Sequence, residues 1–167
     1  MPYISKLQGC NLFDGLSVDE IETFRSAATL ISHPAGSSIM TDGEHGSTLL
    51  VLITGTVTIS KKLTLLGGDE NDIKDKTFAT LDAEEKPFFG EMAMFLDDSK
   101  RTATVTASTA CEVVVFEKES FLKSCKDRPK IGYQVMQNIS RRLATNLDRE
   151  SKNVLKLTTA FSLVLEE

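Results

Sequence analysis

Residues 89–105 read Phe89-Gly90-Glu91-Met92-Ala93-Met94-Phe95-Leu96-Asp97-Asp98-Ser99-Lys100-Arg101-Thr102-Ala103-Thr104-Val105, and they join a very short helix to a β-prone run. From Pro87 to Leu96 apolar residues recur at helical spacing, in a piece long enough for only one or two turns. Gly90 lets backbone approach a ligand with no Cβ in the way, and free amides at the start of the turn favour an anion. Glu91 can accept a hydrogen bond from a sugar hydroxyl. Arg101, ten residues further on at the start of an expected strand, offers a guanidinium fork to a phosphate. Taken alone, Glu91 and Arg101 read more readily as a salt bridge across a loop.

Upstream, Ser17-Val18-Asp19-Glu20 is a capping-box pattern followed by Ile21, Phe24 and Ala28 at helical spacing, so a short helix leads in. From Thr29 to Leu81 the breaks Pro34-Ala35-Gly36, Asp42-Gly43, His45-Gly46, Thr54-Gly55 and Gly67-Gly68 separate short β-branched runs, the pattern of antiparallel strands. Thr48 to Ile53 is nearly all apolar, as a strand covered on both faces needs to be. Thr56 to Leu65 alternates Val57, Ile59, Lys61, Leu63 and Leu65 with polar residues, and Gly55 falls at the turn between the two runs. The charged, aperiodic stretch from Gly68 to Lys76 reads as an exposed hairpin end or loop, with a strand at Thr77 to Leu81 after it. Downstream, Arg101 to Ala107 and Cys111 to Phe116, joined by Ser108-Thr109-Ala110, read as a second hairpin. From Lys118 the pattern is helical: a short segment around Phe121 and Leu122, then Pro129 in the first-turn position that suits proline, and a long amphipathic run to about Leu165. The chain is therefore mainly β with flanking helices.

A length of 167 residues, with 41% hydrophobic and 26% charged residues, suits one globular domain. The formal net charge of -5, from 19 basic and 24 acidic residues, argues against a surface built to hold nucleic acid or anionic lipid. An anionic ligand must then be met by local geometry. No apolar run approaches the roughly 18 residues that span a bilayer, and Met-Pro-Tyr-Ile-Ser-Lys lacks the pattern of a secretion signal. No membrane contact and a cytoplasmic location are expected. Cys10, Cys111 and Cys125 form an odd set without metal-ligand spacing, and two of them lie in apolar-patterned segments where a reduced, buried thiol is expected. His33 and His45 sit at turn-like positions without spaced acidic partners, so neither a metal site nor a catalytic residue is expected, and the chain is not read as an enzyme.

The stretch Phe89-Gly90-Glu91-Met92-Ala93 through Arg101-Thr102-Ala103-Thr104-Val105 resembles the phosphate-binding cassette of the cyclic nucleotide-binding domain family. That family includes the catabolite activator protein, regulatory subunits of cyclic nucleotide-dependent kinases, and gated channels. The resemblance rests on the glutamate-to-arginine spacing, on the small residues after the arginine, and on Gly36, Gly43 and Gly55 where the family turns its strands; it runs from about Leu12 to Leu147. It implies a double-stranded β-helix, a jelly-roll-like β-roll with an N-terminal helix, a short embedded phosphate-binding helix and a long C-terminal helix. One domain over 1–167 is implied, with lead-in helix and β-roll over about 12–128 and a C-terminal lid or dimerisation helix over about 129–165. The implied ligand is cyclic AMP or cyclic GMP, with no other cofactor. Arg101 would hold the cyclic phosphate, Glu91 the ribose 2'-hydroxyl, and the amides or hydroxyl of Ala93 and Thr102 the remaining phosphate oxygens. Gly90 would permit the close approach, with Met92 and Ala103 completing the binding set. Where the family has a glycine-containing turn, Ala83-Glu84-Glu85-Lys86-Pro87 stands here and is expected to bring negative charge near the entrance. Thr102 is compatible with either base; cyclic AMP is the expected one.

In the final helix Leu143, Leu147, Val154, Leu157, Phe161 and Val164 follow spacings of four and three, with Glu150 the polar interruption, a heptad-like seam that predicts a homodimer. The alternative is that the helix packs back on its own domain. Arg141-Arg142-Leu143 leads to Asn146, whose amide could meet a purine edge, fix dimer register or face solvent. Transcription factors of the family continue into a helix-turn-helix domain; here the sequence stops at Glu167 with an acidic balance, so direct DNA binding is not expected and a separate effector protein is. Ligand at Arg101 and Glu91 is expected to draw in the embedded helix and bring the C-terminal helix over the base. The rival expectation is a cyclic nucleotide-binding-like fold that has lost its ligand and serves as a dimerisation or protein-interaction module.

Overall fold

A computed structural model describes residues 3–63, 74–97 and 100–165 of the chain. An N-terminal helix α1, Tyr3–Lys6, and a 3-10 turn, Asn11–Phe13, precede α2, Val18–Ile21. The capping box forms as its residue types dictate: the Ser17 hydroxyl accepts from the Glu20 amide, and the Glu20 carboxylate accepts from the Ser17 amide at 2.8 Å. The helix then tightens into a 3-10 segment, Glu22–Ala27, and stops. Ile21 and Phe24 are buried as expected, but Ala28 has extended backbone and opens the first strand instead of closing the helix.

Eight strands follow: β1 Ala28–His33, β2 Ser38–Met40, β3 Thr48–Thr54, β4 Thr56–Leu63, β5 Lys74–Asp82, β6 Phe88–Phe89, β7 Thr104–Ala107 and β8 Cys111–Glu117. They form two four-stranded sheets in the orders β1-β8-β3-β6 and β2-β7-β4-β5, with every pairing antiparallel. With the flanking helices this is the β-roll expected. Apart from β4 and β5, which pair with each other, strands adjacent in sequence lie in different sheets. Gly55, at φ 84°, turns β3 of one sheet into β4 of the other, and a Cβ there would run into the Ala110 carbonyl. The expected second hairpin is replaced by the same device: β7 pairs with β2 and β4, whereas β8 pairs with β1 and β3. Ser108-Thr109-Ala110 makes a corner because the amides of Ser108 and Thr109 both donate to the Thr56 carbonyl, and the Thr109 hydroxyl accepts from the Thr56 amide at 2.9 Å. The two corners are stitched to each other. Of the charged stretch read as a loop, residues 68–73 lie outside the described residues, while Lys74–Lys76 already belong to β5 and pair with β4. The side chains of Leu63, Leu65 and Val164 also lie outside the described set.

β3 divides the interior. Leu49 and Val51 face a core shared with the helices, and Leu50 and Leu52 face the inside of the roll with Val57, Phe89, Val105 and Val113. The helical core holds a chain of aromatic rings, Phe13, Phe24, Phe121 and Phe116, with neighbouring centroids 5.3 to 5.7 Å apart. Helix α3, Lys118–Asp127, is followed by α4, Pro129–Leu165. Buried Asn138 ties α4 to the N-terminal segment, its Nδ2 donating to the Leu12 carbonyl at 3.1 Å and the Asp14 carbonyl at 2.9 Å. Beyond Leu143 the apolar side of α4 is bare, with Leu147, Val154, Leu157 and Phe161 each at least 61% exposed. No helix among the described residues is long and apolar enough to cross a membrane.

All three cysteines are buried free thiols, where a buried thiol was expected of two. Burial pushes the Cys10 and Cys125 thiols from an ordinary value near 9.0 up to about 11. The folded chain therefore keeps protons that the unfolded chain gives up at lower pH. That stabilisation is complete below pH 9 and is lost as pH rises through 11. Urea unfolding measured across this range is expected to show falling stability, and Cys10→Ala is expected to flatten the fall. Phe116→Ala, which opens a cavity beneath Phe13 and Phe121, is expected to cost about 3–5 kcal/mol, seen as a lower urea midpoint at an unchanged m-value.

Candidate functional site

Strand β6 pairs Phe89 with Leu50 of β3, and the chain leaves the sheet at Gly90, whose φ of 80° caps a 3-10 turn, Glu91–Met94. That turn, the 100–103 loop, one face of the β4 sheet and α4 enclose a cleft of about 270 Å³. Gly90, Glu91, Met92, Ala93, Arg101, Thr102, Ala103 and Asn146, the residues singled out from the sequence, all line it. The embedded segment is shorter than an α-helical turn pair, and the Ala93 amide donates back to the Gly90 carbonyl at 3.2 Å, so in this structure that amide is engaged inside the turn.

Arg101 does not start a strand. Its amide donates to the Glu44 carbonyl at 2.8 Å and its carbonyl accepts from the Gly43 amide at 2.9 Å, so its backbone is held by the loop before β3 and β7 begins only at Thr104. Its half-buried guanidinium donates Nη1–H to the Thr48 carbonyl at 2.9 Å and Nη2–H to the Thr48 hydroxyl at 2.6 Å. Burial lowers the Arg101 pKa and the charge of Glu117 opposes that effect, yet an arginine remains a cation at neutral pH. Glu91 is buried and accepts from Asn146 Nδ2 at 3.4 Å, a bond that links the turn to α4. Glu91 and Arg101 form no ion pair with each other among the described residues, so a salt bridge across the loop does not account for them.

Gly90 leaves room for its protein neighbours: a Cβ there would sit 2.8 Å from both Arg101 Nη1 and the Thr48 carbonyl. Glu84 and Glu85, expected near the entrance, lie in a 3-10 turn capped by Asp82 and line no part of the cleft. Sequence reading missed Lys100, Arg142, Arg149 and Glu150, as well as Met40 and Ile59 on the sheet face. The three from α4 stand four before, three after and four after Asn146, so one helical face carries all of them, and stepping along the helix from Asn146 would have found them. Glu150, which interrupts the seam in sequence, belongs to this cleft face. Four basic side chains, Lys100, Arg101, Arg142 and Arg149, meet two acidic ones, Glu91 and Glu150, so the cleft is locally positive on a chain of net charge -5. The Arg142 guanidinium lies 5.6 Å from the centre of the Phe88 ring, and its buried Nε–H finds no acceptor among the described residues.

A sequence-family model of the cyclic nucleotide-binding domain matches residues 30–128. The chain belongs to the cyclic nucleotide-binding domain family. Among curated relatives, the cAMP-activated global transcriptional regulator of Haemophilus influenzae is 29% identical over 140 residues, covering 84% of this chain and 58% of that protein. The chain thus spans less than two thirds of the length of such relatives. Among solved structures, the catabolite activator protein of Thermus thermophilus superposes with a TM-score of 0.72 at 29% identity, over 89% of this chain and 63% of that one. A cyclic nucleotide-binding domain from Methylobacillus flagellatus superposes with a TM-score of 0.75 at 24% identity, over 92% and 83% of the two chains.

In this cyclic nucleotide-binding domain the left-handed backbone at Gly90 and the crowding around it make the position sensitive. Gly90→Ala is expected to lower stability by about 1–2 kcal/mol for the left-handed conformation alone, with a further loss from the contact with Arg101 and Thr48. Urea denaturation of the variant beside the wild-type chain measures it.

Proposed function

We propose that this domain is a cyclic nucleotide sensor that binds its ligand without chemical change and answers by moving α4. The observation that carries the proposal is the pairing, in one cleft, of a buried carboxylate at Glu91 with a half-buried guanidinium at Arg101 whose bonds go to neutral acceptors. A cyclic nucleotide presents the complementary groups, a singly charged phosphate and a ribose hydroxyl. Arg101 holds the phosphate with help from Thr102, Glu91 accepts from the ribose 2'-hydroxyl, and Gly90, Met92, Ala93 and Ala103 shape the wall.

Asn146 on α4 meets the base, and its bond to Glu91 supports the idea that the same helix registers occupancy of the cleft. Cyclic AMP is the proposed ligand, supported by the name of the Haemophilus influenzae relative at 29% identity. The exposed apolar side chains from Leu147 to Phe161 support homodimerisation through α4, with the repositioned helix read by the second copy or by a separate effector protein. Binding in the micromolar range, about -8 kcal/mol, is expected from the phosphate and ribose contacts together.

Isothermal titration with cyclic AMP and cyclic GMP tests this. Saturable binding of cyclic AMP is expected for the wild-type chain, and Arg101→Ala is expected to weaken it by roughly 100-fold or more, since two charge-assisted hydrogen bonds go with the side chain. No heat with either nucleotide at millimolar concentration overturns the sensor reading and favours an interaction module built on α4.

A further inference from the structure

The guanidinium of Arg101 is set by segments other than its own. Thr48, the first residue of β3, accepts from both terminal nitrogens, through its carbonyl at 2.9 Å and its hydroxyl at 2.6 Å. Gly46 and Gly90 close on the same group, because a Cβ on Gly46 would collide with Arg101 Nε and a Cβ on Gly90 would stand 2.8 Å from Nη1. The guanidinium therefore lies in a slot with Thr48 as its floor and two side-chain-free residues against it. Each Thr48 contact has a separate effect. A single acceptor leaves the planar group free to swing about that contact, whereas a second acceptor on the other terminal nitrogen fixes the plane. Of the five N–H donors of a guanidinium, two are spent on Thr48 and three remain for an anion. Both acceptors on Thr48 are neutral, so they orient the cation without cancelling its charge.

We propose that Thr48 is a positioning residue for the anion-binding group: its hydroxyl fixes the plane of the Arg101 guanidinium so that the remaining donors face the cleft before the ligand arrives. The proposal rests on the reading that Arg101 holds the phosphate. Its chemistry is that of preorganisation, since a flexible arginine that is already ordered loses less freedom on binding.

Thr48→Val keeps the shape and the β-branching of a strand residue and removes only the hydroxyl. It is expected to bind cyclic AMP about tenfold more weakly than wild type at an unchanged urea midpoint, while Thr48→Ser binds within about threefold of wild type. On an Arg101→Lys background Thr48→Val is expected to change affinity less than twofold, because lysine has no plane to fix; a purely structural role for Thr48 would give the full loss there too. In the ligand-free protein the Arg101 Nε–Hε resonance is expected to exchange with water faster in Thr48→Val than in wild type. Wild-type affinity in Thr48→Val overturns the proposal and leaves the sensor reading intact. If the wild-type chain binds neither nucleotide, the sensor reading falls, and unchanged Nε–Hε exchange in Thr48→Val then overturns the positioning role on its own. Thr48→Ala replaces the valine variant in each comparison should the latter fail to fold.

Discussion

The double burial of β3 is the constraint on which the rest of the molecule depends. Alternate side chains of a strand point to opposite faces, so a run such as Leu49-Leu50-Val51-Leu52 is stable only with apolar material on both sides. Here the helices cover Leu49 and Val51, and the inside of the roll takes Leu50 and Leu52. Each side chain so buried contributes about 1.5–3 kcal/mol relative to exposure. A slip of one residue would exchange the two sets, which is why the strand's register is strongly specified. The same register pairs Thr48 with Glu117 of β8 and so places the acceptors that meet Arg101.

Polar groups in the cleft are arranged around that fixed point. Glu91 arrives on the 3-10 turn and Arg101 on the loop before β7, each with its own partner: Asn146 of α4 for the carboxylate and Thr48 of β3 for the guanidinium. Keeping the two charges apart leaves each free to meet a complementary group. The excess of basic side chains in the cleft resolves the apparent conflict between an acidic chain and an anionic ligand, because a local potential depends on the charges within a few ångströms far more than on the net sum. Helix α4 presents two chemically different faces. Arg142, Asn146, Arg149 and Glu150 look into the cleft, while Leu147, Val154, Leu157 and Phe161 lie bare, so a rotation or translation that changes one face changes the other.

Much of this was legible in the linear chain because it depends on local chemistry. Ser17 and Glu20 can cap only a helix start, the unbroken apolar run after Thr48 demands cover on both faces, and Gly90-Glu91 followed by Arg101 carries its spacing in the sequence itself. Where reading failed, distant backbone decided. Ala28 left the helix for a strand because β8 offered it a ladder partner, Phe116. Cys111 to Phe116 turned away from Thr104 to Ala107 because Thr56, more than fifty residues upstream, accepts the amides of Ser108 and Thr109 at their corner. Arg101 stood outside its strand because the loop at Gly43 and Glu44 took its backbone bonds.

The sequence by itself determined that short strands with flanking helices dominate the chain, and it identified the groups able to meet a phosphate and a sugar, since these follow from side-chain chemistry and short-range periodicity; the β-roll was implied only by the resemblance of residues 89–105 to a known family. Only the tertiary structure decided which strand joins which sheet, that Arg142, Arg149 and Glu150 share the cleft with Asn146, and that Gly90 makes room for a guanidinium held by Thr48. Those facts depend on contacts between residues some fifty positions apart, where hydrogen bonds and excluded volume choose among arrangements that local patterning leaves equal.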